Sequence, residues 1–258
     1  MPAAVDYLLP TPAPTRFMPN DYFQFQQFRI EQGACAMKVS TDACLLGAVA
    51  DLAGATRLLD IGTGTGLLAL MAAQRHATAE IDAVEIDAAA AAQAAANVAA
   101  SPWASRIRVH AQGLAEFAAT QPAPFSHIIC NPPFFRQSLR SPNAARSTAR
   151  HEAAGALTYA QLARFATDYL SPDGVLTVLL PPPEMQAFAA IAAKAGLHAA
   201  TRLVVRHREG SRPLRHITAF IRRDGKVEET ELTVRAPEDE SAYSPEFRQR
   251  LAGFYLAL

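Results

Sequence analysis

Apolar and polar positions alternate from Tyr22 onward in Y-F-Q-F-Q-Q-F-R-I-E-Q-G-A-C-A-M-K-V, and the run then passes Gly33, a pattern that predicts a small β-hairpin over residues 22–39. Ser40, Thr41 and Asp42 are good N-cap residues ahead of the apolar run A-C-L-L-G-A-V-A, which predicts a helix. From there the period switches back and forth. Short apolar strands are predicted at 57–60, 80–85, 106–110, 126–130 and 174–180, with helices at 65–75, 87–100, 158–170 and 184–195, the last stopped by Gly196. Closing strands are predicted at 200–206 and 216–222, and a terminal helix over 244–258 whose aromatics pack back on the body. Strands alternating with helices describe a mostly parallel sheet with crossover helices on both faces.

Residues 1–20 contain five prolines and little apolar period, so they read as an extended or disordered arm. Residues 21–258 read as a single domain: an N-terminal hairpin and helix over 21–56, then an α/β core with a C-terminal helix over 57–258. The alanine runs are helix faces rather than linkers. An apolar content of 50% in 258 residues is ample for one large core. Three cysteines without C-x-x-C spacing argue against a disulfide framework and a cysteine-rich zinc site, and place the protein in reducing cytosol without a metal. No cationic leader precedes an apolar segment, and no stretch approaches the roughly 18 apolar residues of a membrane span. A soluble cytoplasmic protein is expected.

Two stretches carry chemistry. The first is Asp60-Ile61-Gly62-Thr63-Gly64-Thr65-Gly66, which follows a strand and opens a helix. Its G-x-G-x-G spacing differs from the pyrophosphate-binding G-x-G-x-x-G, and an acid at the strand end repels phosphate but suits a cationic ligand. That favours S-adenosylmethionine over a dinucleotide. Glu85, at the end of the next strand, is placed to accept hydrogen bonds from two ribose hydroxyls. Lys38, Thr41 and Asp42 fit two readings: a cover over the methionine end of the cofactor, or a capped surface helix.

The second stretch is Phe125 to Phe135, F-S-H-I-I-C-N-P-P-F-F. Asn131 and Pro132 fall at the carboxyl edge of the sheet, where ligands bind in open α/β folds. An exocyclic amine on adenine is a poor nucleophile because its lone pair is delocalised into the ring. Hydrogen bonds from its two N–H groups to the Asn131 side-chain oxygen and the Pro132 carbonyl would localise that pair, with Pro132 and Pro133 stiffening the loop. Phe134 offers a stacking face, and Phe135 is a second wall or core. Cys130 reads as a buried structural thiol rather than a nucleophile.

With these residues in hand, the chain resembles the bacterial adenine-N6 methyltransferases of valine tRNA, which modify the adenine at position 37 beside the anticodon. The D-I-G-T-G-T-G and N-P-P-F pieces are shared with many amino-methyltransferases. Narrower segments are Q-F-R-I with C-A-M-K-V-S-T-D, and S-P-W-A-S-R-I-R-V-H. The resemblance implies a class I methyltransferase (Rossmann-like) fold with a seven-stranded sheet, an S-adenosylmethionine cofactor, and the roles above for Asp60, Gly62, Glu85 and Asn131 to Phe134. One departure stands out: Gln112-Gly113-Leu114 occupies the turn where such enzymes place an acid against the cofactor's adenine, leaving Gln112 or backbone to that task.

The net charge is zero, so any nucleic-acid face has to be local. Arg136, Arg140, Arg146 and Arg150 follow the pocket with no acid between Asn131 and His151, a basic loop suited to phosphate. Eight basic residues lie between Arg202 and Lys226 against two acids, while six acids crowd 228–240. This asymmetry supports an RNA partner. The resemblance implies that the partner is the anticodon stem-loop of a tRNA, and a monomer or weak dimer is expected. Two other readings remain open: methylation of a protein glutamine amide, and a catalytically silent RNA-binding scaffold, which the changed Gln112-Gly113 turn would suit.

Overall fold

The computed structural model describes residues 21–35, 37–132, 157–239 and 241–257. A hairpin forms, but over less of the chain than the expected 22–39: β1 (Tyr22–Gln24) runs antiparallel to β2 (Arg29–Glu31), and the turn lies at 25–28, ahead of Gly33, with Phe25 N donating to Phe28 O at 2.9 Å. Ser40 caps α1 (Thr41–Val49), its side-chain oxygen accepting from Ala43 N at 3.2 Å.

Next come β3 (Arg57–Ile61), α2 (Leu67–Arg75), β4 (Glu80–Glu85), α3 (Ala88–Ala99) and β5 (Ile107–Ala111). After them follow α4 (Leu114–Ala119), β6 (Phe125–Cys130), α5 (Tyr159–Tyr169), β7 (Leu170–Leu180) and α6 (Pro182–Lys194). The chain closes with β8 (His198–Arg206), β9 (Pro213–Ile221), β10 (Glu228–Thr233) and α7 (Pro245–Leu251).

These strands make one sheet in the order β10-β8-β9-β7-β6-β3-β4-β5, in which β9 alone runs antiparallel to its neighbours. The expected mostly parallel, two-sided architecture is present, with eight strands in the sheet instead of seven. The added strand is β10, E-E-T-E-L-T, which pairs in parallel with β8 at the sheet edge. The terminal helix is shorter than expected: Ser244 caps α7, which ends at Leu251, and the chain then turns so that Tyr255 bridges Phe25.

Alternation along the central strands explains why both faces are covered. Leu58, Ile129 and Leu179 face one core with α1, α2 and the C-terminal aromatics, whereas Leu59, Ile128, Cys130, Val178 and Leu180 face the other with α5 and α6. Period 2 with apolar residues on both sides is what a sheet sandwiched between helices requires. Cys35, Cys44 and Cys130 are free and buried, and burial pushes the Cys130 thiol well above its ordinary range, which leaves it inert.

The narrower sequence segments meet in space. Phe28 of Q-F-R-I packs edge-on against Trp103 of S-P-W at 5.8 Å, and Phe25 stacks on Phe28 at 4.5 Å. Gln26 donates its amide to the carbonyls of Ala252 and Tyr255, so the hairpin is clasped between the α3–β5 connection and the C-terminal segment.

Candidate active site

Strand register sets out the site in a row. Ile61 pairs with Val84 on one side and Cys130 on the other, and Glu85 pairs with Ala111. Gly62, Glu85 and Asn131 therefore emerge at one level of the carboxyl edge, with Gln112 one residue beyond Ala111. At about 4.8 Å per strand, Asn131 starts one strand from Gly62 and roughly 10 Å from Glu85.

The glycine loop is open on the side where side chains would stand. Gly62, Gly64 and Gly66 have φ of 71°, 55° and 84°, in the left-handed region. A Cβ on Gly62 or Gly64 would meet nothing within 4 Å. Gly62 N and Thr63 N both donate to the Val84 carbonyl, at 2.9 and 3.1 Å, which fixes the loop over the end of β4.

Asp60 is fully buried. Its Oδ2 accepts from Thr63 Oγ1 at 2.6 Å and from Ala69 N of α2 at 3.2 Å, while Oδ1 has no hydrogen-bond partner among the described residues. Burial pushes the carboxyl up to about 7, against the pull of the Thr63 and Ala69 hydrogen bonds. In the free protein, then, Asp60 braces the glycine loop from inside and holds a proton across part of the neutral range. Because its folded value lies above its unfolded value of 3.8, its contribution to stability is present below about pH 4 and is lost as pH rises to about 7.

A cation bound over the loop favours the ionised carboxylate. Affinity for S-adenosylmethionine is therefore expected to strengthen as pH rises through about 7, with proton uptake by buffer, and Asp60→Asn is expected to flatten that dependence. Calorimetric titration in two buffers of different ionisation enthalpy measures both; a flat profile in the unaltered protein would detach Asp60 from the ligand.

Glu85 is already engaged: Oε2 accepts from Gly64 N and Oε1 from Asp87 N, each at 2.9 Å. Each oxygen keeps a second lone pair for a hydroxyl, so the loop orients the carboxylate without exhausting it. Beside it Ile86 is 55% exposed, and a Cβ on Gly113 would lie 3.5 Å from Ile86 Cδ1. An exposed isoleucine between two acids is a signal in the sequence that its apolar pattern does not single out, and it leaves an apolar face at the strand end. Gln112 is half-buried, its backbone N donating to the His110 carbonyl at 3.0 Å.

Lys38, Thr41 and Asp42 make protein contacts. Lys38 Nζ donates to the Gln32 carbonyl, Thr41 opens the capped helix, and Asp42 forms an ion pair with Arg215 Nε of β9 at 2.8 Å. Asn131 is half-buried at the end of β6, and its Oδ1 is buried with no partner among the described residues. A buried acceptor left unpaired costs about 1–3 kcal/mol unless something donates to it. Pro132 is buried beside it. Pro133, Phe134, Phe135, Arg136, Arg140, Arg146 and Arg150 lie outside the described residues.

Two features escaped the sequence. Asn97, on the alanine-rich α3, is 2% exposed and fully bonded: Oδ1 accepts from Glu31 N at 2.9 Å, and Nδ2 donates to the carbonyls of Glu31 and Thr65 at 2.8 Å each. It fastens the hairpin to the glycine loop. Glu184, in the first turn of α6 after β7, has a buried Oε2 without a partner among the described residues. Burial, reinforced by the Glu184 charge, pushes the Tyr159 phenol up to about 12, so Tyr159 stays a neutral hydroxyl.

The charge asymmetry is corrected by the fold. Arg202 and Arg206 of β8 pair with Glu229 and Glu231 of the neighbouring β10, at 3.2 and 2.8 Å. Blocks that look separate in sequence neutralise one another across the sheet edge.

An open glycine loop at the end of β3, a carboxylate at the end of β4 and an amide at the end of β6 define a class I methyltransferase with S-adenosylmethionine as cofactor. The Methyltransferase small domain family matches residues 39–181. Solved structures agree on the fold: a predicted O-methyltransferase from Agrobacterium tumefaciens superposes with a TM-score of 0.61 at 22% identity, covering 82% of this chain and 96% of that one. A ribosomal protein L11 methylase from Lactobacillus delbrueckii subsp. bulgaricus follows with 0.53 at 16%, covering 76% and 84%.

Sequence relatives are nearer. A tRNA1(Val) (adenine(37)-N6)-methyltransferase of Phocaeicola vulgatus is 43% identical over 239 residues, 93% of this chain and 99% of the relative. One of the same name from Pectobacterium carotovorum subsp. carotovorum is 42% identical over 238 residues, 92% and 94% of the two. The chain belongs to the tRNA1(Val) (adenine(37)-N6)-methyltransferase family.

Proposed function

We propose that this protein methylates N6 of an adenine in tRNA, at position 37 of valine tRNA, with S-adenosylmethionine as methyl donor. The relatives' shared name supports the substrate. The observation that carries the chemistry is the buried Asn131 Oδ1, without a partner among the described residues, at the strand end beside Gly62.

The cofactor supplies an electrophilic methyl group. Gly62 and Gly64 leave open space in which it would lie against backbone, Glu85 would accept from its ribose hydroxyls, and Ile86 with the Gln112 turn would hold its purine. Lys38, Thr41 and Asp42 close the methionine side by fixing α1 and the segment before it.

Asn131 Oδ1 and the Pro132 carbonyl accept the two N–H bonds of the target amine, which draws its lone pair out of the ring and toward the methyl. Pro133 stiffens that turn, and Phe134 and Phe135 wall the base. Arg136, Arg140, Arg146 and Arg150 meet RNA phosphates. An anticodon-loop adenine is partly unstacked already, so presenting it costs less than extracting it from a duplex. The protein works in the cytoplasm as a monomer or weak dimer; among the described residues no helix is long and apolar enough to cross a membrane.

Incubation with labelled cofactor and either unmodified total tRNA or cell protein tests the reading. Label is expected in valine tRNA, as N6-methyladenine at position 37 by mass spectrometry. Label in protein alone would point to a glutamine amide, and transfer to neither would leave a silent scaffold.

A further inference from the structure

Asp60 Oδ1, Asn131 Oδ1 and Glu184 Oε2 are buried oxygens at the carboxyl edge of the sheet without a hydrogen-bond partner among the described residues. The same holds for oxygens of Gln74, Glu80 and Thr218, but Gln74 is near the end of α2, Glu80 begins β4 in an ion pair with Arg108, and Thr218 lies within β9. Asp60 sits under the glycine loop and Asn131 meets the amine. Neither the cofactor nor the amine accounts for Glu184.

The sequence explains why the chain leaves this carboxylate open. Glu184 is the third residue of α6, where a glutamate commonly folds back to accept from the N–H of the N-cap residue. Here the N-cap is Pro181 and the next two residues are Pro182 and Pro183, none of which has an N–H. Met185 N is spent on the Pro181 carbonyl at 2.8 Å. The three prolines remove the local donors that a first-turn glutamate would otherwise use, and they stiffen the turn that carries it.

Position follows from register. Cys130 pairs with Val178, so β6 and β7 leave the sheet side by side, about 4.8 Å apart, and Glu184 follows the end of β7 by four residues. Tyr159, the first residue of α5, packs edge-on against Phe188 at 5.6 Å, one turn along α6 from Glu184, which holds the two helix starts together.

Adenosine within an RNA chain has two donor groups, the N6 amine and the ribose 2′-hydroxyl. With both N–H bonds of the amine given to Asn131 and Pro132, the hydroxyl is the donor left for a neighbouring acceptor. A carboxylate repels phosphate and accepts from a hydroxyl, so it suits the sugar and not the charged backbone. We propose that Glu184 is a specificity residue whose Oε2 accepts a hydrogen bond from the 2′-hydroxyl of the target adenosine, selecting RNA over DNA; this rests on the tRNA reading above.

Valine tRNA assembled with adenosine or with 2′-deoxyadenosine at position 37 alone supplies the test, read as kcat/KM for methyl transfer. The unaltered protein is expected to prefer the ribose substrate by about 10–100-fold, the range for a hydrogen bond to a charged group. Glu184→Ala is expected to lower transfer to the ribose substrate by a similar factor and to leave the deoxy substrate nearly unaffected, so that the preference disappears. Glu184→Gln keeps a neutral acceptor and the shape of the side chain, and is expected to retain part of the preference. S-adenosylmethionine affinity, which a general disturbance of the site would lower, is expected to be unchanged in both variants.

A preference that survives undiminished in Glu184→Ala and Glu184→Gln overturns the contact, even where both variants transfer more slowly; Glu184 then meets a donor of the protein. An unaltered protein that methylates the two tRNAs equally overturns it too, with the tRNA activity standing. Transfer to neither tRNA would overturn that activity and the contact with it.

Discussion

Asn131→Ala is expected to lower methyl transfer by about 10²–10³-fold or more while leaving S-adenosylmethionine affinity nearly unchanged. The magnitude follows from deleting a pre-placed polar group whose partner gains most as charge develops on the reacting atom. The separation of effects follows from register. The loop and carboxylate assigned to the cofactor hang from β3 and β4, and Asn131 belongs to β6; among the described residues its side chain makes no hydrogen bond that braces Gly62, Gly64 or Glu85.

Among the described residues the buried Asn131 oxygen has no partner, so removing it costs no hydrogen bond to them. Stability should therefore hold, which is unusual for a half-buried polar residue with a structural task. Single-turnover transfer and calorimetric cofactor binding on the same preparation read the two effects. Parallel loss of both would make Asn131 a structural residue and return the acceptor site to question. The loss should appear equally in kcat and kcat/KM, as expected for an interaction realised at the transition state.

How much was visible beforehand depended on whether a feature is local. Strands β3, β4, β6 and β7 announce themselves because each is an apolar run buried on both faces, and the residues that end them, Gly62, Glu85 and Asn131, are fixed by counting along the chain. β10 does not announce itself. E-E-T-E-L-T buries only Leu232 and keeps its glutamates exposed at an edge, where charge is what protects a strand from further pairing. α4 hides for a similar reason, six residues with Phe117 alone buried.

Charge was the least legible property. Arg202–Glu229 and Arg206–Glu231 join residues more than twenty positions apart, and only the parallel β8–β10 pairing makes them neighbours. A block count therefore overstated the basic surface, since two of its arginines are neutralised across the sheet edge. Q-F-R-I and S-P-W stood out as narrow motifs without a stated reason. Their reason is the Phe28–Trp103 contact that seats the hairpin.

Asn97 was the hardest to see, a polar residue within an alanine helix with no motif around it, and its replacement should be the most disruptive to the fold of the site. Asn97→Ala leaves Glu31 N, Glu31 O and Thr65 O without their partner in a buried place, and is expected to cost about 3 kcal/mol of stability. Cofactor affinity should fall with it, since Thr65 belongs to the glycine loop.

Asn97→Asp separates hydrogen bonding from packing. The shape is kept and Glu31 N still finds an acceptor, but an anionic oxygen now faces two carbonyls. Burial and those carbonyls raise the folded carboxyl above its unfolded value, so the variant should be at its weakest at neutral pH. It should recover as pH falls and the protonated acid donates to one carbonyl. Denaturant melts near pH 5 and pH 8 distinguish the cases. Equal losses for Ala and Asp at both pH values would mean that volume, not the three hydrogen bonds, ties the hairpin to the loop.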